Sequence, residues 1–221
     1  MTDFARLMSD YFVKYLAGQK GSGSNTMKTY RDTFVQLLEF MDEKKHIRAD
    51  CIEVDSFSYD IINEFLEYLE KEKRVSISTR NNRLAAIRSF FKYTGYHEPK
   101  YLNISTSIRE ISKKKTEGRQ MNYLSVNAME HFLNSFDKTD HKELRCFCIV
   151  LLLYESGARV TELCNVRRYD LHLEKPYTMI LHGKGDKIRS VPLDGLVADV
   201  ISNYIQKYRV DDNDFLFFNT R

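Results

Sequence analysis

The chain has 221 residues, 34 Lys+Arg against 31 Asp+Glu for a formal net charge of +3, and 43% hydrophobic residues. That balance excludes a collagen-like repeat, a low-complexity chain and a disordered acidic tail. The apolar run 146–154 is far shorter than the roughly 20 residues a membrane-spanning helix needs. No membrane partner is expected, and the N-terminus shows no basic stretch followed by an apolar leader core.

Four cysteines without a C-x-x-C pair and six scattered histidines predict neither a disulfide framework nor a metal site. A reducing cytoplasm and no cofactor are the expectation. Cys146 and Cys148 lie inside the apolar run and read as reduced core thiols.

In chain order, Phe4, Leu7, Met8, Tyr11, Phe12, Tyr15 and Leu16 recur at helical spacing and predict a first helix. A loop over 18–25 follows, then helices over about 26–43 and 59–73. A fourth helix is expected over about 78–94, ending before Gly95. Its apolar stripe is Leu84, Ile87 and Phe91, supported by Phe90. Asn81, Arg88 and Lys92 share another face, with the small residues Ala85 and Ser89 between them. Such a face can lie against DNA; a plain amphipathic helix with a polar outer face accounts for it equally. Residues 98–122 have weak periodicity, contain Pro99 and the run Lys113-Lys114-Lys115, and read as a basic interdomain linker.

Beyond it, Ser125 reads as the N-cap of a helix over 126–136. A buried helix is expected over 142–155, stopped by Ser156-Gly157, and a short one over 159–166. The stretches 177–182 and 188–193, joined by Gly183-Lys184-Gly185-Asp186, predict a hairpin, with a further helix over 196–208.

Charge is polarised along the chain. Residues 32–72 hold 4 basic and 12 acidic residues, and residues 73–119 hold 12 basic and 3 acidic. The basic block suits a polyanion, because lysine and arginine on phosphates release condensed counterions. A solvated face that balances the acidic block within the chain fits as well. In the second half, Arg159 follows a rigid helix end, and Lys184 stands at a hairpin tip between glycines. A guanidinium fork and an ammonium point charge are complementary ways to hold a phosphate. A helix-end ion pair with Glu155 or Glu162, and a solvated turn lysine, are the structural alternatives.

These residues carry a resemblance. The string Leu151-Leu152-Leu153-Tyr154-Glu155-Ser156-Gly157-Ala158-Arg159-Val160-Thr161-Glu162-Leu163 resembles the first arginine box of tyrosine recombinases, the phage-integrase and Xer-like group. His182-Gly183-Lys184-Gly185-Asp186-Lys187-Ile188-Arg189-Ser190-Val191-Pro192-Leu193 resembles that family's G-K-G-x-K-x-R-x-V-P-L hairpin. Both occur in the family's order and separation. Segments 26–40 and 76–93 are loosely similar to helices of its core-binding domain.

The resemblance implies a mainly α fold with a small antiparallel β-sheet. An all-helical, SAM-like core-binding domain (1–97) would precede the linker (98–122) and an incomplete α+β catalytic domain (123–221). It implies strand cleavage and rejoining of duplex DNA at inverted-repeat sites through a 3′-phosphotyrosine, without a metal. Arg159 matches the first catalytic arginine, Lys184 the hairpin lysine that protonates the leaving 5′ oxygen, and Glu162 a supporting position. Candidate DNA contacts are Thr79, Arg80, Asn81, Arg83, Arg88 and Lys92, with Lys28, Lys113, Lys114 and Lys115 as weaker phosphate contacts. The family's second box, His-x-x-Arg, and its nucleophilic tyrosine have no match here; Tyr204 and Tyr208 lie upstream of where that tyrosine belongs. This chain alone is therefore expected to bind DNA as a monomer in solution but not to cleave it, whereas the full-length family member forms a tetramer on DNA. The alternative is a non-catalytic relative that occupies recombination sites. A module of basic helices that binds protein instead of DNA is a third reading. A phosphate-binding P-loop is excluded, because G-x-x-x-x-G-K-[ST] is absent.

Overall fold

The computed structural model describes residues 1–116, 118, 122–183, 185 and 187–218. The chain divides into two compact units, Met1–Arg119 and Gln120–Arg221, each with its own hydrophobic core. The architecture is mainly α with one small antiparallel sheet.

Unit 1 is built from α1 (Asp3–Asp10), α2 (Ser24–Lys45), α3 (Tyr59–Lys71), α4 (Ile77–His97) and α5 (Leu102–Glu110). Side-chain caps start several of them: Thr2, Ser58 and Ser76 accept from the backbone N–H three residues on. The helix α4 is central, with Leu84, Ile87, Phe90 and Phe91 fully buried. Phe90 meets Phe4, Tyr11 and Phe34 edge to face at 5.2–5.5 Å between ring centres. Each such ring withdraws enough apolar surface to contribute about 1.5–3 kcal/mol.

Unit 1 departs from the periodicity in three places. The first helix changes at Tyr11 to a π-helical stretch, Tyr11–Gln19, closed by the Lys20 N–H donating to the Tyr15 carbonyl at 2.8 Å. The wider turn still buries Tyr11 and Leu16 and stacks Tyr15 on Tyr11. The helix α4 runs through Gly95 to His97 instead of ending before it. A Cβ on Gly95 would stand 2.6 Å from the Cβ of Ser105, so the glycine is there for close contact with α5, not for a stop. The expected linker is the third departure. Pro99–Tyr101 form a 3₁₀ turn and Leu102–Glu110 form α5, with Tyr101, Ile108 and Ile111 in the core.

Unit 2 contains α6 (Val126–Asn134), α7 (His141–Ser156), α8 (Val160–Cys164), β1 (Leu171–His172), β2 (Thr178–His182), β3 (Ile188–Pro192) and α9 (Gly195–Tyr208). Ser125, Asp140 and Asp194 cap α6, α7 and α9. Gly157 takes the left-handed conformation (φ 58°) that ends α7. The strands are ordered β1-β2-β3, all antiparallel, with Met179 opposite Val191 and Leu181 opposite Arg189. Met179 and Leu181 alternate into the core. The strand β1 was not legible in the sequence. Of the two thiols expected in the core, only Cys148 is buried; Cys146 is exposed, because one helical face cannot hold both i and i+2. Burial pushes the Cys148 thiol up to about 12. Among the described residues no helix is long and apolar enough to cross a membrane.

Candidate functional site

In unit 2 the break after α7 delivers Arg159 to the N-terminus of α8. Its side chain is 75% exposed, while that of Glu162, one turn on, is 4% exposed. The Glu162 carboxylate accepts the Arg159 backbone N–H at 3.0 Å, the Arg159 guanidinium at 2.7 Å and the Arg189 guanidinium at 2.8 Å. The backbone N–H, then the Arg189 side chain, then the Arg159 side chain hold the carboxyl at about 2, below its ordinary 4.5. Glu162 is thus charged throughout the neutral range and presents two guanidinium groups to solvent.

The hairpin base closes on this carboxylate. A Cβ on Gly183 would lie 3.3 Å from Glu162 Oε1 and 3.3 Å from the Lys187 carbonyl, and the Gly183 N–H donates to that carbonyl at 2.7 Å. Lys184, at the tip, lies outside the described residues. His182, at the end of β2, lies 3.0 Å from the buried Asp170. Arg189 was quoted in the hairpin string without a role; its place opposite Leu181 in the register is what brings it to Glu162. Tyr204 is buried, its phenol pushed up to about 12 by burial, and the Tyr208 hydroxyl donates to the His141 carbonyl.

In unit 1 a groove of about 480 Å³ lies along α4. Ala85 and Ser89 form its floor, and Arg88, Lys92, Lys20, Arg109 and Lys113 line it with two tyrosines, Tyr15 and Tyr30. None of these five cations forms an ion pair among the described residues. The spacing of Arg88 and Lys92 on one helix face was legible. Lys20 sits in the early loop and Arg109 on α5, so only the fold brings them there.

The other expected contacts sort differently. Arg80 is a correction: its side chain is 6% exposed, pairs with Glu70 at 3.3 Å and donates to the Ser112 carbonyl at 3.1 Å. Asn81 is another, since its amide is fully used on the backbone of Lys114. Arg83 is half-buried and donates to Thr33 Oγ1 at 3.2 Å, and burial lowers its pKa. Thr79 is half-buried, its hydroxyl 3.0 Å from Ser76 Oγ. Lys114 pairs with Glu70 at 2.8 Å. Lys28, Lys113 and Lys115 are exposed. The internal balancing of acidic and basic blocks is therefore partial: Glu70 is spent on Arg80 and Lys114, and the groove cations are left over.

Residues 122–221 match the family model described as "Phage integrase family", and residues 10–99 match "Phage integrase, N-terminal SAM-like domain". The chain is 30% identical to the tyrosine recombinase XerD of Listeria innocua, over 95% of this chain and 70% of that protein. It is 27% identical to a Sinorhizobium fredii protein named as an integrase/recombinase, spanning 98% of this chain but 65% of the relative's length. Among solved structures, a XerH site-specific recombinase bound to palindromic difH substrate superposes with a TM-score of 0.66 at 22% identity, over 96% of this chain and 61% of that one. The Tn1549 transposon integrase in complex with transposon right end DNA gives 0.67 at 19% identity, over 100% and 72%.

Proposed function

Because this chain belongs to the phage integrase family of tyrosine recombinases, we propose that it grips duplex DNA and supplies the first arginine of a strand-exchange site. The observation that carries this reading is the exposed Arg159 guanidinium held by a buried, doubly engaged Glu162. A guanidinium so fixed suits the non-bridging oxygens of a scissile phosphate and the charge that grows there in the transition state. In the reaction, a tyrosine oxygen bonds to phosphorus and the P–O5′ bond breaks. The 5′ oxygen takes a proton from Lys184 as general acid. The groove cations Lys20, Arg88, Lys92, Arg109 and Lys113 hold phosphates of the duplex, with Lys28 and Lys115 further out. The recombination site is a pair of inverted repeats, on which the full-length protein assembles as a tetramer in the nucleoid-bearing cytoplasm, whereas this chain is a monomer in solution.

The nucleophile is not among the 221 residues in this reading, so the chain binds without cutting. Titrating it onto duplex DNA at several salt concentrations should give log K falling linearly with log salt. A nicked suicide substrate should yield no covalent adduct. A salt-independent affinity removes the groove from the interface, and an adduct on a denaturing gel overturns the assignment of the nucleophile. Site occupancy without cleavage, with no longer partner able to supply the tyrosine, is the outcome that favours a non-catalytic relative.

A further inference from the structure

The chain after α5 is held by side chains where no strand or helix exists to hold it. Arg88 donates to the Arg109 carbonyl, and Arg80 Nη1 donates to the Ser112 carbonyl at 3.1 Å. Asn81 Nδ2 donates to the Lys114 carbonyl at 2.8 Å, and Asn81 Oδ1 accepts the Lys114 N–H at 3.1 Å. Glu70, from α3, pairs with both Arg80 and the Lys114 ammonium. Ile111 is buried between these points. From 109 to 114 the chain advances while its partners on α4 step back from 88 to 81, so the segment runs antiparallel to the helix.

A planar side-chain amide that engages both backbone groups of one residue supplies what a neighbouring strand supplies in a sheet. Such pairing stabilises the segment only if it offsets the entropy of ordering it. Here the offset comes from several hydrogen bonds, one buried isoleucine and a carboxylate shared by two cations.

We infer that Asn81, Arg80 and Glu70 form a latch that fixes the chain onto α4 and so seats Lys113 in the wall of the basic groove. Asn81 is a positioning residue: it acts on DNA through Lys113, not by contact. A lysine ordered in advance loses less freedom on meeting a phosphate. The functional consequence rests on the duplex-binding reading above; the latch itself concerns the chain alone.

Amide hydrogen exchange on the 221-residue chain, paired with duplex titration, separates the two. The amide at position 114 should be protected in the wild type and in Lys114→Ala, which keeps the backbone pair. In Asn81→Ala it should exchange about tenfold faster, the scale of losing hydrogen bonds of this type, with the helical signal and unfolding midpoint kept. Asn81→Ala should also weaken duplex binding about threefold and reduce the salt slope by about one phosphate contact. Free exchange at position 114 in the wild type overturns the latch, as does equal loss of protection in Lys114→Ala. A released amide with unchanged affinity and slope overturns the positioning role. Protection in a chain that binds no duplex supports the latch and removes the groove reading instead.

Discussion

The corner between α3 and α4 and the corner between α7 and α8 each pair an arginine with a glutamate, and they do so in opposite senses. In unit 1 the Arg80 side chain is 6% exposed and its carboxylate partner Glu70 is 22% exposed. In unit 2 the Glu162 side chain is 4% exposed and its partner Arg159 is 75% exposed. Burying the cation makes it part of the scaffold, since its donors are consumed by Glu70 and the Ser112 carbonyl. Burying the anion does the reverse: the carboxylate, satisfied by a backbone N–H and two guanidiniums, becomes a fixed negative base that aims cations outward. Which partner is desolvated decides whether an arginine is structural or presented.

The sharpest test of that contrast exchanges the two losses. Arg80→Ala should cost about 2–4 kcal/mol, because Glu70 and the Ser112 carbonyl lose a buried partner. Arg159→Ala should stay within about 0.5 kcal/mol, as exposed side chains do. Urea midpoints measure both, and equal losses break the comparison. Presented cations should then matter to binding and not to folding. Arg88→Ala with Lys92→Ala should lower duplex affinity about tenfold and reduce the salt slope by about 2. Unchanged affinity at low salt takes them out of the interface.

The smallest effect concerns acid. The Glu162 carboxyl is held at about 2 in the folded chain against an ordinary 4.5. Its stabilising charge is therefore fully present above about pH 5 and is lost as pH falls from 4.5 towards 2. Glu162→Gln should flatten that part of the stability profile. An acid limb identical to wild type would show that the carboxylate is not the buried base described here.

Much of the fold was written in apolar spacing. The stripe Leu84, Ile87, Phe90 and Phe91 and the hairpin flanking Gly183 to Asp186 were legible because burial and turn chemistry leave periodic marks. Gly95 misled because a glycine at a helix end and a glycine under a crossing helix look the same in one dimension. Residues 102–110 misled for a related reason: a nine-residue helix with only Ser105, Ile108 and the adjoining Tyr101 and Ile111 buried shows too little period to stand out. In the candidate site, Arg159 and Glu162 were marked by their position after a helix break. Arg189 needed the strand register, and Lys20 and Arg109 needed tertiary contact, so no local pattern could have named them. Arg80 and Asn81 were assigned to DNA on face alone, and the face was taken by the chain itself.

The π-helical stretch at Tyr11–Gln19 has a consequence for how this chain tolerates length changes. A π turn carries one residue more than an α turn needs, so the stretch absorbs a residue that a regular helix would have to push out elsewhere. Deleting one residue at Val13 or Lys14 would let the backbone close as an ordinary helix and rotate everything after it by about 100° relative to Tyr11. Tyr15 would leave its stack on Tyr11 and swing off the groove, and Lys20 would go with it. The outer wall of the groove is in this sense indexed by a single surplus residue.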